Sequence, residues 1–523
     1  MISKGDTPMK QWIAVLLTLV LLLTPMTAAA QTESNTPPVE NDLATTPVIM
    51  GDVSRDGNIG ADDALRVLQS CVGKIISFDP HDRYNDAPGA GIAADVDGDG
   101  VIRAADALQI LQKVVGKIDR FPADAGLYGQ NLTLKTFFAD RYRTEPYASF
   151  IDKLEQQYGM TLTVVPYGDS LQEDLQSGKE TADVLELNYV FARNMGREGH
   201  LVNLQGLPNQ LGDDLLTRAT GFGRHLYGVG FELQEGGMQG IFYNKTLLNQ
   251  VAPDYDLNAL YAEGKWDFAT LRELTALATK DTDQDGKPNL YGITANAQLL
   301  EMAFVAGGGL SCLEYNNEAG VEKPDVYVKE NISAQLETAP YLTLQEMRQT
   351  DKSWLYKADT AQCIEVFTEG QALLFAGYVS YSDQILGNAD FEVGFIPMVK
   401  AEIDSYQTVA GTVFSVPKGK KEKASAAIAL ATQLQLMNPY VKQQVKQQYL
   451  QKGLDETSAQ HVADLPNKAT LDYSVGVVSL EQLSSAPVPA VVTGETPMQR
   501  IVRQFQSELD EYYMPFYDFI IFD

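Results

Sequence analysis

The sequence contains little cysteine, little histidine and few basic residues. Its three cysteines are an odd number, so a Cys312–Cys363 disulfide and three unpaired thiols both remain open. None of the four histidines stands at zinc-ligand spacing from another. The formal net charge of −29 argues against nucleic acid as a partner, because contacts with phosphates require a basic surface.

Long apolar runs are also scarce, and the one that matters lies near the N-terminus. Lys4 and Lys10 precede the apolar segment Trp12–Leu23, and Ala28–Ala30 offers a small-residue cleavage site. As a helix this segment spans only ~18 Å, short of the ~30 Å hydrocarbon core of a membrane. We therefore predict a cleaved signal peptide over residues 1–30 and a secreted, extracellular chain without membrane insertion. Because no cysteine follows the cleavage site, we expect no lipid anchor.

An internal repeat follows a polar stretch at 31–47 that predicts a flexible linker. The copies are GDVSRDGNIGADDALRVLQSCVGK (51–74) and ADVDGDGVIRAADALQILQKVVGK (94–117). Each contains a twelve-residue acidic loop with glycine at position 6, Gly57 or Gly100, where the chain must turn with positive φ. The repeat therefore has the spacing of a calcium-binding loop.

Such loops bind calcium through oxygens at positions 1, 3, 5, 7, 9 and 12, with a carbonyl at 7 and a water at 9. The predicted ligands of the first loop are Asp52, Ser54, Asp56, Asn58, Gly60 and Asp63. Those of the second loop are Asp95, Asp97, Asp99, Val101, Arg103 and Asp106. An apolar stripe at helical spacing follows each loop: Leu65, Leu68, Val72 and Leu108, Leu111, Val115. Segment 48–120 is therefore predicted to be a small all-α module that binds two calcium ions.

The motifs DVSRDGNIGADDAL and DVDGDGVIRAADAL resemble the dockerin family. The resemblance implies paired loop–helix (F-hand) motifs that fold on binding two calcium ions and attach to a cohesin on a scaffold protein, as in a cellulosome. Dockerins usually select the cohesin with loop positions 10 and 11, which are here Ala61, Asp62, Ala104 and Ala105. The two pairs differ, which puts a pseudo-symmetric second binding mode in doubt.

A third acidic run has the same spacing. Its candidate calcium ligands are Asp281, Asp283, Asp285, Lys287 (by its carbonyl) and Asn289. Position 12 is Gly292, so the closing carboxylate is missing. A third calcium ion and a solvated turn both remain open.

After a short linker predicted at 121–130, short apolar strands alternate with amphipathic helices, as in α/β folds. Ordered segments resemble the sugar-binding branch of extracellular solute-binding proteins of ABC transporters: LTLKTFFAD (132–140), TADVLELN (181–188), HLVNLQGL (200–207), GGMQGIFYNKTLL (236–248), FTEGQALLFAGY (367–378) and GTVFSVPKGKKEKASAAIALATQL (411–434). The resemblance implies a two-lobe α/β periplasmic-binding-protein fold over 131–523. Lobe 1 is expected at about 131–240 and 378–434, and lobe 2 at about 245–376 and 435–523.

The implied ligand lies between the lobes, and the residue types suit a saccharide. Aromatic rings cover the C–H faces of a sugar, while carboxylates, amides and arginine hydrogen-bond its hydroxyls. The candidate ligand-binding residues are Asp140, Arg141, Asn188, Tyr189, Tyr227, Glu232, Tyr378 and Tyr381. Ligands collect at the carboxyl ends of strands in open α/β sheets, which supports the first four.

Three functional classes remain open. The favoured one is a saccharide-binding protein, held on a scaffold through the cohesin, with an ABC permease as a further partner. A glycan-binding or adhesion module without a transport role is the alternative. A scaffold-borne glycoside hydrolase is less favoured, because no G-x-S-x-G, H-E-x-x-H or Walker A motif occurs. We therefore predict no catalytic residues.

Overall fold

The computed structural model describes residues 46–74, 89–168, 170–208, 215–222, 225–233, 235–296, 299, 313–316, 325–328, 339–399, 406–408 and 411–471. Within these ranges no helix is both long and apolar enough to cross a membrane. The predicted signal peptide, residues 31–45 of the first linker and Cys312 lie outside the described residues. Cys363 carries a free, buried thiol, and Cys71 a free, exposed one.

Each repeat consists of a loop followed by a helix. The helices of this repeat module are α1 (Ala61–Cys71), α2 (Ala90–Ala94) and α3 (Ala104–Val114). The apolar residues of α1 and α3 that are at most 1% exposed are Ala64, Val67, Ala107 and Ile110. Most of the apolar stripe read from the sequence is offset from this core and stays exposed: Leu65, Val72, Leu108 and Val115.

The chain next forms lobe 1. Its elements are β1 (Asn131–Thr136), α4 (Ala139–Tyr142), α5 (Tyr147–Tyr158), β2 (Thr161–Pro166), α6 (Leu171–Ser177), β3 (Val184–Asn188), α7 (Tyr189–Arg197), α8 (Leu215–Ala219), β4 (Gly221–Phe222), β5 (His225–Leu226) and β6 (Val229–Leu233). Local signals explain several of the ends. Gly159 ends α5 and Gly178 ends α6 in the left-handed conformation that glycine adopts readily.

Lobe 2 follows. Its elements are β7 (Gln239–Asn244), α9 (Lys245–Val251), α10 (Leu257–Ala262), α11 (Phe268–Ala278), β8 (Tyr291–Ala295), β9 (Leu313–Asn316), β10 (Asp325–Val328), α12 (Ala339–Gln349), β11 (Trp354–Tyr356), α13 (Thr360–Thr368), β12 (Ala372–Tyr378), α14 (Ser382–Asn388) and β13 (Val393–Pro397). Carboxylate or amide caps begin four of its helices: Asn244, Asp256, Asp267 and Asp359.

The last described stretch returns to lobe 1 and then to lobe 2. It contains β14 (Tyr406–Thr408), β15 (Gly411–Ser415), α15 (Ala424–Gln435), α16 (Asn438–Gln451), α17 (Glu456–Asp464) and β16 (Ala469–Leu471). Helix α15 packs on the lobe 1 core, whereas Val445 of α16 and Val462 of α17 belong to the lobe 2 core.

Two five-stranded mixed sheets organise the lobes. In lobe 1 the strand order is β2-β1-β3-β15-β6, with β1 parallel to β2 and β3 and with β15 antiparallel to β3 and β6. In lobe 2 the order is β11-β8-β12-β7-β13, with β7 antiparallel to β12 and β13. This arrangement confirms the two-lobe α/β prediction.

The lobe 2 core surrounds two tryptophans. Trp266 and Trp354 are 0% exposed. Their indole N–H groups donate to the carbonyls of Pro397 at 3.1 Å and Ala295 at 3.0 Å, so neither polar atom is left unsatisfied. Trp266 is therefore a packing residue.

The lobe boundaries differ from the expected ones. Strands β12 and β13 both belong to the lobe 2 sheet, and Val379, Ile385 and Phe395 lie in its core. Residues 378–399, expected in lobe 1, are thus part of lobe 2, because β13 is an additional antiparallel strand whose pairing with β7 is not evident from sequence order. The first crossing falls between β6 and β7, and another lies at 436–437, between α15 and α16.

The repeat module packs on lobe 1. Segment 121–130 is not a free linker, because Phe121 is 2% exposed and Leu127 is 0% exposed. Both belong to one hydrophobic cluster with Leu154 of α5 and Ile428 of α15. An apolar pair spaced six residues apart was too sparse a signal to predict this burial.

A buried carboxyl lies at this junction. Asp124 is 4% exposed, and burial raises its pKa to about 6 although a hydrogen bond with Tyr158 opposes the shift. The unfolded chain titrates near 3.8, so Asp124 gives its full stabilisation below that pH, and this is lost as the pH rises through about 6.

We expect Asp124→Asn to be more stable than the unchanged protein by on the order of 3 kcal/mol at pH 8, but by only about 1 kcal/mol at pH 4.5, where the folded carboxyl is still mostly protonated. The amide keeps an acceptor for Tyr158 and carries no charge. Urea unfolding with a calcium chelator at both pH values measures the difference. A difference that is the same at both pH values would show that Asp124 is not the titrating group.

Candidate functional site

The two repeat loops share one hydrogen-bonding pattern. At position 1, Asp52 and Asp95 each accept from the amide of the position 6 glycine, at 2.9 Å in both loops. At position 12, Asp63 accepts from Ser54 N at 2.8 Å and from Gly60 N at 2.7 Å. These bonds orient the position 1 and position 12 carboxylates toward the inside of the loop. The bond from Gly60 N to Asp63 also caps the first turn of helix α1.

The second loop repeats the closing carboxylate. Asp106 is 0% exposed and accepts from Val96 N at 3.1 Å and from Arg103 N at 2.8 Å. One oxygen from each of Asp95, Asp97 and Asp99 lies within 4.8 Å of the others. Burial and the nearby carboxylates raise the pKa of Asp95 to about 6. Crowded, partly desolvated carboxylates of this kind fit a hard divalent cation that prefers oxygen ligands.

The third acidic loop reproduces only the first half of this pattern. Asp281 accepts from Gly286 N at 2.9 Å, and Asp285 accepts from Lys287 N at 2.8 Å. The side chain of Asn289 accepts instead from Thr282 N, at 2.9 Å. Asp281, Asp283 and Asp285 are exposed, with one oxygen from each within 4.8 Å of the others. Gly292 lies in β8 and supplies no carboxylate.

A charged network lies at one edge of the lobe 1 sheet. Arg141 donates to Glu186 at 2.7 Å and also pairs with Glu232. Glu186, whose side chain is fully buried, accepts further hydrogen bonds from Thr136 at 2.7 Å, Tyr142 at 2.8 Å and Thr412 at 3.0 Å. Arg141 and Glu232 remain partly exposed and offer hydrogen-bonding groups at this edge.

Strand direction explains why these residues meet. Thr136 ends β1, and Glu186 lies near the carboxyl end of the parallel strand β3. Strand β15 runs antiparallel, so its first residues pair with the end of β3, Thr412 with Asn188. Thr412 also pairs with Glu232 of β6. This edge, at the carboxyl ends of β1 and β3, is called the lobe 1 edge.

The electrostatics of the network favour a charged arginine. Burial acts to lower the pKa of Arg141, but Tyr142, Glu186 and Glu232 together outweigh it and raise that pKa. The guanidinium carbon also lies 4.9 Å from the ring centroid of Phe138 and 5.3 Å from that of Phe231. The Arg141 Nε and the Tyr147 hydroxyl are buried donors without a hydrogen-bond partner among the described residues.

Three aromatic rings, one of them exposed, lie beside this network. Phe137 is 70% exposed, although it directly follows β1. Its ring centroid is 5.4 Å from that of Phe138 and 6.0 Å from that of Tyr167, which follows β2. These rings were missed because a Phe-Phe pair after a strand reads as core; their position after β1 and β2 was the available signal.

The other lobe 1 candidates do not join the network. The Asp140 carboxylate is 97% exposed and pairs with Arg143. Asn188 lies at the edge but caps α7, accepting from Val190 N at 2.9 Å. Tyr189 is 0% exposed and packs in the core, so it is not available to a ligand in this structure.

Tyr227 lies at the opposite edge of the sheet. It precedes β6, which runs antiparallel to β15 and therefore parallel to β1 and β3, so Glu232 lies at the lobe 1 edge and Tyr227 at the other end. Its ring lies so close to Gly196 that a Cβ there would come within 2.1 Å of it. Tyr227 is therefore a packing residue on α7, a correction to its expected role.

Lobe 2 contributes Tyr378 and Tyr381. Tyr378 ends β12 opposite Gln239, the first residue of β7, and its ring centroid is 6.0 Å from that of Tyr381. Both tyrosines are half-buried, beside the crossing from lobe 1. At the end of β8, Asn296 donates to Thr360 at 2.7 Å, a polar pair that sequence reasoning did not single out.

The predicted cohesin contacts Ala61, Asp62, Ala104 and Ala105 are all exposed at the starts of α1 and α3. Apolar residues on these helices or directly after them are exposed as well, among them Leu65 at 39%, Val72 at 68%, Leu108 at 48% and Val115 at 66%. The members of each pair, Leu65 with Leu108 and Val72 with Val115, occupy equivalent positions of the repeat. These four residues are called the exposed stripe.

Comparison with known proteins agrees with this architecture. The profile of the family described as bacterial extracellular solute-binding protein matches residues 141–436, more than half of the chain. The structure is similar to the maltose-binding periplasmic protein MalE from Listeria monocytogenes in complex with maltose, with 16% identity, 74% of this chain and 98% of that chain covered, and a TM-score of 0.50. A second similar structure is the maltose/maltodextrin-binding domain MalE from Bdellovibrio bacteriovorus bound to maltotriose, with 16% identity, 73% and 100% coverage, and a TM-score of 0.45.

Among curated proteins the comparison finds no match. At these identities the structural similarity shows only the fold, whereas the family profile shows the functional class of the protein. The prediction of a binding protein rather than an enzyme is confirmed by that class. The chain belongs to the bacterial extracellular solute-binding proteins.

Proposed function

We propose that this protein binds a saccharide between the lobe 1 edge and the Tyr378–Tyr381 edge of lobe 2. The observation that carries the proposal is the partly exposed Arg141–Glu232 pair beside the exposed ring of Phe137. A sugar presents C–H faces to aromatic rings and hydroxyls to charged side chains. Listeria MalE, a protein of the same fold, was solved with maltose, which supports this ligand class.

The arrangement also suggests how binding is transmitted. The crossings after β6 and after α15 are short, so a ligand that contacts both edges favours the closed arrangement by its differential affinity. We propose delivery of the saccharide to an ABC permease as the consequence of closure. A glycan-binding role without transport stays the alternative, and loss of saccharide uptake on deletion of the protein separates the two.

A thermal-shift screen of the full chain against mono- and oligosaccharides tests the ligand class. Stabilisation of several degrees by one sugar family is expected from ligand linkage. With that sugar, we expect Phe137→Ala and Tyr378→Ala each to weaken binding about tenfold, because each removes one aromatic face. Titration calorimetry measures the change.

Tyr227→Phe is the matched control, because Tyr227 lies at the opposite edge of the lobe 1 sheet. Its affinity should stay within about twofold of the unchanged protein. Equal losses in all three variants would contradict the proposed edge. If only non-sugar solutes stabilise the protein, the assignment of a saccharide as the ligand is wrong.

We propose calcium as the ion of the repeat module. Carboxylates at positions 1, 5 and 12 of both loops, with carbonyls at position 7, fit its preference for oxygen ligands. The exposed third loop, without a closing carboxylate, is proposed as a weaker calcium site. Equilibrium dialysis should then give two tight ions and one weak ion; a count below two contradicts the assignment.

We further propose that the calcium-loaded module attaches the protein to a cohesin on a scaffold. The exposed stripe and the exposed residues at loop positions 10 and 11 support this role, because a partner that covers the stripe removes apolar surface from water. Calcium-dependent retention on immobilised cohesin tests the attachment. Retention that persists in chelator would contradict it.

A further inference from the structure

The repeat module and lobe 1 share buried hydrogen bonds as well as a core. The amide of Val48 donates to Gln433 Oε1 at 2.9 Å, and Gln433 Nε2 donates back to the Val48 carbonyl at 3.1 Å. Gln157 of α5 donates to the same carbonyl at 2.8 Å. Val48 is 0% exposed and Gln433 of α15 is 2% exposed. A partner lost from such a buried pair leaves an unsatisfied polar group.

Backbone contacts make the junction tight. Gly126 faces α15 so closely that a Cβ there would lie 2.8 Å from the backbone of Ser425 and Ala426. Its φ is not in the left-handed region, so the close approach alone requires glycine at this position. The junction therefore has no space for a flexible tether.

The second acidic loop is bonded directly into this junction. Val96, between the acidic residues Asp95 and Asp97, donates its amide to the Asp106 carboxylate at 3.1 Å. The Val96 carbonyl accepts from Ala123 N at 3.2 Å, three residues before Gly126. Gly98 of the same loop lies against Pro208 of lobe 1. The residues of the second loop thus contact lobe 1 directly, through Gly98, and the 121–130 segment through Val96.

We infer that the repeat module is a structural part of lobe 1, and that the cation of its loops stabilises helices α5 and α15 of the solute-binding fold. The inference rests on the calcium binding proposed above. An ion that binds only the folded module stabilises whatever folds with it. If the module were attached by a flexible linker, calcium binding would not stabilise lobe 1. Because the two share a core, the free energy of calcium binding also stabilises lobe 1.

Hydrogen exchange of the full chain, in excess calcium chloride and in chelator, tests the inference. We expect calcium to slow amide exchange in α5 and α15 about tenfold, beyond the protection of the loops themselves. Helices α11 and α13 of lobe 2 should show no change, because Leu271 and Phe367 pack in the lobe 2 core, whereas the described core residues of the module belong to the lobe 1 cluster.

Two variants separate coupling from calcium binding. Gly126→Ala should separate the module from α15, so that calcium still protects the loops but no longer protects α5 and α15. Gln433→Met should act in the same direction by removing both hydrogen bonds to Val48 without adding atoms at the backbone contact. Gly419→Ala, at an exposed lobe 1 glycine with no atom within 4 Å, should keep the full effect.

Equilibrium dialysis of the same samples distinguishes the two possible failures. Calcium bound at two ions per chain without protection of α5 and α15 would overturn the coupling and leave the calcium assignment intact. Absence of bound calcium would overturn both. Protection of lobe 1 that survives in both junction variants would show that calcium acts by another route, which also overturns the inference.

Discussion

Replacing Arg141 with alanine should lower the free energy of unfolding by about 3–5 kcal/mol, because it leaves the buried carboxylate of Glu186 without its cationic partner. Glu186 retains hydrogen bonds from Thr136, Tyr142 and Thr412, but hydroxyl donors do not replace a guanidinium. Urea unfolding followed by far-UV circular dichroism measures the change. Saccharide binding should be lost in the same variant, because the charge that orients Glu232 is gone.

Arg143→Ala is the matched control. Arg143 lies two positions away, is 52% exposed on its side chain, and pairs at 3.4 Å with an almost fully exposed carboxylate. Its loss should change stability by no more than about 0.5 kcal/mol. Adding Glu186→Gln to Arg141→Ala should restore part of the stability, since the uncompensated charge is removed. If the double variant is no more stable than Arg141→Ala, the buried charge is not the cause.

The second large effect is expected at the closing carboxylate of the first loop. Asp63→Ala should weaken calcium binding at that loop by more than about a hundredfold, because even groups that only orient metal ligands contribute 10–100-fold. The change also removes the acceptor for Gly60 N at the start of α1, which costs about 1 kcal/mol of helix stability. Calcium titration calorimetry measures the affinity, and retention on cohesin should fall with it.

Asp62→Ala provides the comparison with the same loss of charge. Asp62 is exposed, one residue before Asp63, and occupies a predicted cohesin-contact position. It should keep calcium affinity within about threefold while weakening retention on cohesin. Equal calcium affinities for the two variants would remove Asp63 from the ligand set.

The sequence predicted those residues of the charged network whose position at the carboxyl end of a strand follows from the local pattern. Arg141 was found because it follows the first strand of a parallel pair, and ligand edges of such sheets lie at the carboxyl ends. Glu186 was missed because, within VLELN, it reads as part of a buried strand. Tyr227 was misplaced because the direction of β6 in the sheet depends on its pairing with β15, a strand about 180 residues later in the chain.

Long-range pairing also explains the other differences. The strand pattern of residues 378–399 is compatible with either lobe, and only the pairing of β13 with β7 assigns it to lobe 2. The repeated loops and their helices were recognisable because the hydrogen bonds to their position 1 and position 12 carboxylates are local. The docking of Val48 on Gln433 joins positions 385 residues apart, and no local pattern encodes it.

The position of the tryptophans determines which part of the protein intrinsic tryptophan fluorescence can monitor. Trp266 and Trp354 both lie fully buried in lobe 2, and Trp12 falls in the predicted signal peptide. The intrinsic emission of the secreted chain would thus come from one lobe only. A calcium titration followed by this emission would stay flat even as lobe 1 gains stability, and a two-step melt would look like a single step. A tryptophan introduced in place of Phe231, in the lobe 1 core, would allow fluorescence to follow the unfolding of lobe 1 as well.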